Sequence, residues 1–168
     1  MHSENMEKKR ITILGLGNIL LSDEGFGVHF VRHIENKYSM PENIEIIDGG
    51  VMGYVLLDIF DRSDVMIVID CIKLDDEPGS IFRFTNEEFL TKIPPPTSAH
   101  EVKFADVMIK AEMMADLPDM IFLCIIPKQY KDMDLEMTDE LKTRIPVMEG
   151  LLLKELENLG VRPEAKDA

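Results

Sequence analysis

Two adjacent acids, Asp23 and Glu24, stand where an apolar run ends in a glycine turn: "ITILGLGNILLSDEGFG", residues 11–27. Glycine turns after a first strand commonly cradle phosphate, and carboxylates repel phosphate, so this loop asks for another ligand. A third acid, Asp70, closes the run "VMIVID" at 65–70, and His100 comes after the proline loop in "TKIPPPTSAHE" at 91–101. Parallel strands joined by right-handed crossovers put their carboxyl ends on one edge of a sheet, where the loop after Gly17 and the side chain of Asp70 face a common crevice. A Glu, an Asp and a His around one crevice make an oxygen-oxygen-nitrogen donor set with positions left for water or substrate. Such a set suits a borderline divalent metal such as nickel or zinc.

Each of these residues also has a plainer use. Ser22 is placed to cap a helix whose first turn carries Asp23 and Glu24, acids that favour the positive end of a helix dipole. A single histidine such as His100 is more often hydrogen-bonded or solvated than a ligand. Gly15 and Gly17 lack the third glycine of a dinucleotide fingerprint, since Leu20 stands in its place. Asp48 at the end of a second strand keeps a nucleotide reading open, but a tight turn that lets the next helix pack close to the sheet is simpler. His29 and His33 are four apart on one helix without the glutamate of a metalloprotease pair, and read as solvated face residues. The stretch "DMDLEMTDE" at 132–140 starts like a calcium loop, but Met137 and Thr143 occupy its turn-glycine and bidentate-glutamate positions. Cys71 and Cys124 sit in apolar runs with no local base and no CxxC, and read as buried thiols.

The elements that must position these residues can be read from the hydrophobic pattern. Continuous apolar runs at 11–14, 44–47, 65–69 and 120–126 are those of strands covered on both faces, with a shorter strand at 80–84. Phe26, Phe30, Ile34 and Tyr38 step by four between the first two runs, and "GYVLLDIF" precedes the third. A helix is expected to begin near Ser98 with Glu101 completing a capping box, and a last helix to run from about Thr138 to Leu159. The fold class is α/β: a three-layer sandwich with a mostly parallel twisted sheet of about five strands flanked by helices. The 168 residues form one domain, ordered over about 11–159, with flexible ends at 1–9 and 160–168.

Thirty-two acids against eighteen bases give a formal charge of −14, which opposes nucleic-acid binding. Neither a membrane span nor a signal-peptide cleavage site is evident, so a cytoplasmic protein is expected.

Four blocks, "ILGLGNILLSDEGFGV" (13–28), "IDGG" (47–50), "VIDC" (68–71) and "SAHEVKFADVM" (98–108), resemble in order and spacing the hydrogenase maturation endopeptidases. The resemblance runs from about residue 11 to 159, with Lys103 and Cys124 standing where glycine is common in the family. It implies a protease that removes the C-terminal extension of a nickel-iron hydrogenase large-subunit precursor once nickel is inserted. The metal-binding residues of the family fall on Glu24, Asp70 and His100, which the resemblance makes the catalytic set as well. Nickel would be presented by the substrate, with other divalent metals able to substitute. Asp48, Gly49 and Gly50 are expected to shape the adjacent substrate-binding wall, because glycines admit a close backbone. Family precedent leans toward a monomer. Two alternatives belong to other classes. One is a nickel- or nucleotide-binding maturation chaperone that does not cut. The other is an esterase like peptidyl-tRNA hydrolase, which shares the opening "GLGN" but continues with Pro-Gly where this chain has Ile19 and Leu20.

Overall fold

Apolar runs without polar alternation become strands buried from both sides, and their order sets where the chemistry lies. In the computed structural model, residues 7–53, 55–92, 99–114 and 117–167 are described, with the side chains of 92, 99–105 and 114 excepted. The chain runs β1 (Ile11–Leu16), a one-turn 3-10 helix (Ser22–Gly25), α1 (Phe26–Lys37), β2 (Tyr38–Ser39), β3 (Ile44–Gly50), α2 (Leu56–Asp61) and β4 (Val65–Cys71). It continues through β5 (Ile81–Thr85), α3 (Asn86–Lys92), α4 (Ala99–Met114), β6 (Asp119–Ile125), α5 (Asp139–Lys142), α6 (Ile145–Asn158) and β7 (Glu164–Ala165).

The central sheet has the order β3-β1-β4-β6-β5. Its first four strands are mutually parallel, and β5 runs antiparallel at the edge. The carboxyl ends of β1, β3, β4 and β6 therefore share one rim, as the sequence pattern requires.

Alternation along each strand divides the core in two. Ile13, Ile67, Ile69 and Leu123 meet Phe26, Phe30 and Ile34 of α1 together with Met148, Leu152 and Leu156 of α6. Leu14, Met66, Val68 and Phe122 meet Leu56 and Phe60 of α2, Phe89 of α3 and Met108 of α4. Asp70 shares the parity of Met66 and Val68, so it belongs to the layer of α2 and α4, whereas Cys71 belongs to that of α1.

Three expectations need correction. The helix expected over 138–159 is two helices, because Pro146 in the first turn of α6 has no N–H for the preceding turn and its ring excludes a continuous helix from α5. The tail expected to fray instead pairs Glu164 and Ala165 with Ser39 and Tyr38, and the Lys166 N–H reaches the Lys37 carbonyl at 2.8 Å. Ser22 does not cap a helix: it sits at φ 51°, and its hydroxyl donates to the Glu136 carbonyl at 2.8 Å. The capping box at Ser98 lies outside the described residues.

Candidate active site at the carboxyl rim

The glycine turn is required by the path of the chain into α1. Gly17 has φ 141°, and a Cβ there would lie 1.9 Å from the Glu24 carbonyl oxygen. At the second residue of α1, a Cβ on Gly27 would lie 2.3 Å from the carbonyl oxygens of both Ile69 and Leu16. Only glycine at these two positions lets the start of α1 rest directly on the ends of β1 and β4. The turn therefore presses the Asp23-Glu24 pair onto the rim, in agreement with the close-packing reading.

The two acids have different surroundings. Asp23 is fully buried and used by the protein itself. Its Oδ2 accepts the N–H groups of Lys128 and Gln129 at 3.0 and 2.9 Å, and its Oδ1 accepts the N–H of Thr138 at 2.7 Å. The Thr138 hydroxyl lies within 3.0 Å of both oxygens. Asp23 is thus the anchor of the 127–138 segment. Glu24 is 1% exposed and faces Lys73, whose Nζ lies 3.3 Å from Oε2.

Asp70 is 5% exposed at the end of β4, with Oδ1 accepting the Cys71 N–H at 2.8 Å. The Cys71 thiol donates to the Asp23 carbonyl at 2.9 Å, which ties the loop to the strand. Burial pushes the Cys71 thiol well up from its ordinary pKa, and the negative charges of Asp70, Glu24 and Asp23 add to the shift. Burial and the nearby negative charges both favour the protonated thiol, so Cys71 is a poor nucleophile. Cys124 is likewise held up, by burial and then Asp70. Both thiols are free and buried, as expected.

His100 is the second residue of α4. Because α4 leads into the start of β6, a strand parallel to β4, its first turn belongs at the carboxyl rim, on the side of the sheet that Asp70 faces. The His100 side chain lies outside the described set. Among the described residues, no group of three or more His, Cys, Asp or Glu side chains forms a metal cluster.

The wall residues separate. Asp48, held by Arg32 at 2.7 Å, and Gly50, at φ 49°, line a cleft of about 370 Å³ beside Gly17, Leu20 and Val51. Gly49 is absent from that lining and packs beneath it, where a Cβ would meet Leu14 and Leu16 at 2.7 and 2.9 Å. His33 keeps 37% of its side chain exposed, and its Nε2 also pairs with Glu149 at 2.8 Å. The His29 Nε2 is buried against Gly25. Burial, then the charge of Arg32, lowers the His29 pKa.

Sequence reasoning missed Lys73 and the anchoring role of Asp23. The position of Lys73 three residues after Asp70 was the only signal for the first. The second depends on partners more than a hundred residues away.

A mostly parallel sheet covered by helices on both faces, with Asp23, Glu24 and Asp70 buried at its carboxyl rim, defines an α/β fold. A family model described as hydrogenase maturation protease, HycI, matches residues 28–155. The chain is 30% identical over 161 residues to the hydrogenase 2 maturation protease of Escherichia coli, covering 95% of this chain and 98% of that one. It is 31% identical over 153 residues to the hydrogenase expression/formation protein HupD of Thiocapsa roseopersicina, covering 90% and 69%. Among solved structures, the hydrogenase maturating endopeptidase HybD from E. coli superimposes with a TM-score of 0.88 at 30% identity, over 94% of this chain and 98% of that one. The chain belongs to the hydrogenase maturation protease family.

Proposed function

We propose that this endopeptidase removes the C-terminal extension of a nickel-iron hydrogenase large-subunit precursor after nickel insertion, and that Glu24, Asp70 and His100 grip the nickel carried by that precursor. The observation that carries the proposal is that Glu24 and Asp70, both buried, come from two segments tied together at the carboxyl rim by the bond from the Cys71 thiol to the Asp23 carbonyl, while the neighbouring Asp23 carboxylate is taken up by backbone donors. The metal is cargo of the substrate. Two carboxylates and an imidazole leave positions for thiolates of the precursor, and such soft ligands favour nickel already seated there over a hard cation. Other divalent metals of borderline character suit the same donors.

When present, the nickel supplies Lewis-acid polarisation of a carbonyl brought beside it. The chain's own contribution is to orient and to move a proton: Asp70, at the strand end, takes the proton of the attacking water and returns it to the leaving amine. Asp48 and Gly50 form the wall along which the substrate backbone lies, and Gly49 holds β3 close to β1 beneath it. The enzyme meets its precursor in the cytoplasm and acts on it as a monomer. Its net charge of −14 is unfavourable to any nucleic-acid partner. Among the described residues, no helix is long and apolar enough to cross a membrane.

Intact-mass spectrometry of the cognate precursor, with and without nickel, after incubation with this protein tests the proposal. Loss of a short C-terminal peptide from the nickel-loaded form alone is the expected result. Equal cleavage of the nickel-free form overturns the gating, and an unchanged mass in a nickel-loaded precursor overturns the cleavage.

A further inference from the structure

A buried carboxylate needs a positive partner, because removing its charge from water is expensive unless the charge is compensated. In the free enzyme Lys73 is such a partner. Its Nζ lies 3.3 Å from Glu24 Oε2, with the lysine side chain 13% exposed and the glutamate 1%. The same ammonium sits 4.7 Å from the centre of the Tyr130 ring, on whose face a cation is also favoured. Lys73 lies outside β4, which ends at Cys71, so no strand pairing fixes its backbone.

We propose that Lys73 is the resident counter-cation of the site: it neutralises Glu24 in the free enzyme and is displaced toward Tyr130 and solvent when the nickel of the precursor arrives. The inference rests on the reading of Glu24 as a nickel ligand. A monovalent ammonium and a divalent ion cannot share one buried carboxylate without strong mutual repulsion, since the low dielectric there magnifies it. Every metal that enters must therefore expel Lys73 first. A free ion has only its attraction to the donors Glu24, Asp70 and His100 with which to do so, whereas a precursor brings peptide contacts as well. Lys73 thus sets an affinity threshold for occupying the site, which a free ion with fewer contacts fails to pass and nickel delivered on protein clears with its additional contacts.

Isothermal titration of the full chain with nickel chloride tests this. Lys73→Met is expected to bind nickel at least tenfold more tightly than wild type, including the case in which wild type shows no heat at all. Lys73→Arg, which keeps the charge, is expected to match wild type, and adding Glu24→Gln to Lys73→Met should abolish the gain. Circular dichroism establishes that each variant is folded, and Lys73→Gln replaces Lys73→Met should the latter fail. No tightening in a folded charge-removed variant overturns the inference, as does equal tightening in Lys73→Arg. If Glu24→Gln alone processes nickel-loaded precursor at the wild-type rate, it is the assignment of Glu24 as a ligand that falls, separately from the role of Lys73.

Discussion

The Thr138 N–H donates to the Asp23 carboxylate at 2.7 Å, so the segment after β6 hangs from the residue directly before Glu24. Two more backbone donors, from Lys128 and Gln129, converge on the other oxygen. Replacing Asp23 with alanine strands three buried or half-buried N–H groups at once. A loss of about 3 kcal/mol in urea denaturation is expected. Stability within error of wild type would show that the 127–138 segment is held by other contacts.

Asp70→Asn separates chemistry from folding. The amide oxygen still accepts the Cys71 N–H, so stability should change by less than about 1 kcal/mol. Cleavage of nickel-loaded precursor should fall by about 10²-fold or more, because the amide neither takes a proton nor carries charge. His100→Ala should give the same pattern. Wild-type processing by the Asp70 variant would remove that residue from the mechanism, and unfolding of the His100 variant would make the histidine structural.

Gly17→Ala tests the geometry that seats Glu24. The left-handed φ of 141° and the 1.9 Å approach of the Glu24 carbonyl allow no β-carbon without moving the 3-10 turn. At least about 2 kcal/mol of stability should be lost, with processing impaired beyond what the lower stability explains. A variant with wild-type melting and wild-type turnover would contradict the packing described.

Acid sensitivity should centre on Glu149. Burial would raise its pKa from the ordinary 4.5, but hydrogen bonds from Lys37, Tyr38 and His33 outweigh it and lower the value to about 2. A depressed folded-state value stabilises fully above pH 4.5, and the contribution disappears as pH falls from 4.5 through about 2. Wild type should exceed Glu149→Gln by on the order of 2 kcal/mol at pH 6, with the gap closing near pH 2. An equal gap at both pH values would assign the effect to packing alone.

The sheet was legible because the apolar runs at 11–14, 44–47, 65–69 and 120–126 appear as β1, β3, β4 and β6, with β1 and β4 buried throughout, while the shorter run at 80–84 appears as the partly exposed edge strand β5. The backbone position of His100 in the first turn of α4 and the rim position of Asp70 came with that order. What stayed hidden depends on contacts between distant segments. Ser22 has the composition of a cap, yet a carbonyl 114 residues away takes its hydroxyl. The polar tail carries no apolar pattern, because β7 gains its order from backbone pairing with β2. Lys73 reads as an ordinary loop lysine until the fold brings Glu24 to it.

The two buried thiols give the molecule a pair of internal clocks. Cys71 is shielded by the loop whose carbonyl it bonds, whereas Cys124, paired across from Asp70, faces the other side of the sheet and is shielded by the helices packed there. Under native conditions a thiol reagent should therefore reach Cys71 whenever the 3-10 segment lifts, and Cys124 only when the helices on the opposite face of the sheet part. The difference between the two labelling rates measures how often the rim opens by itself, without any substrate being present.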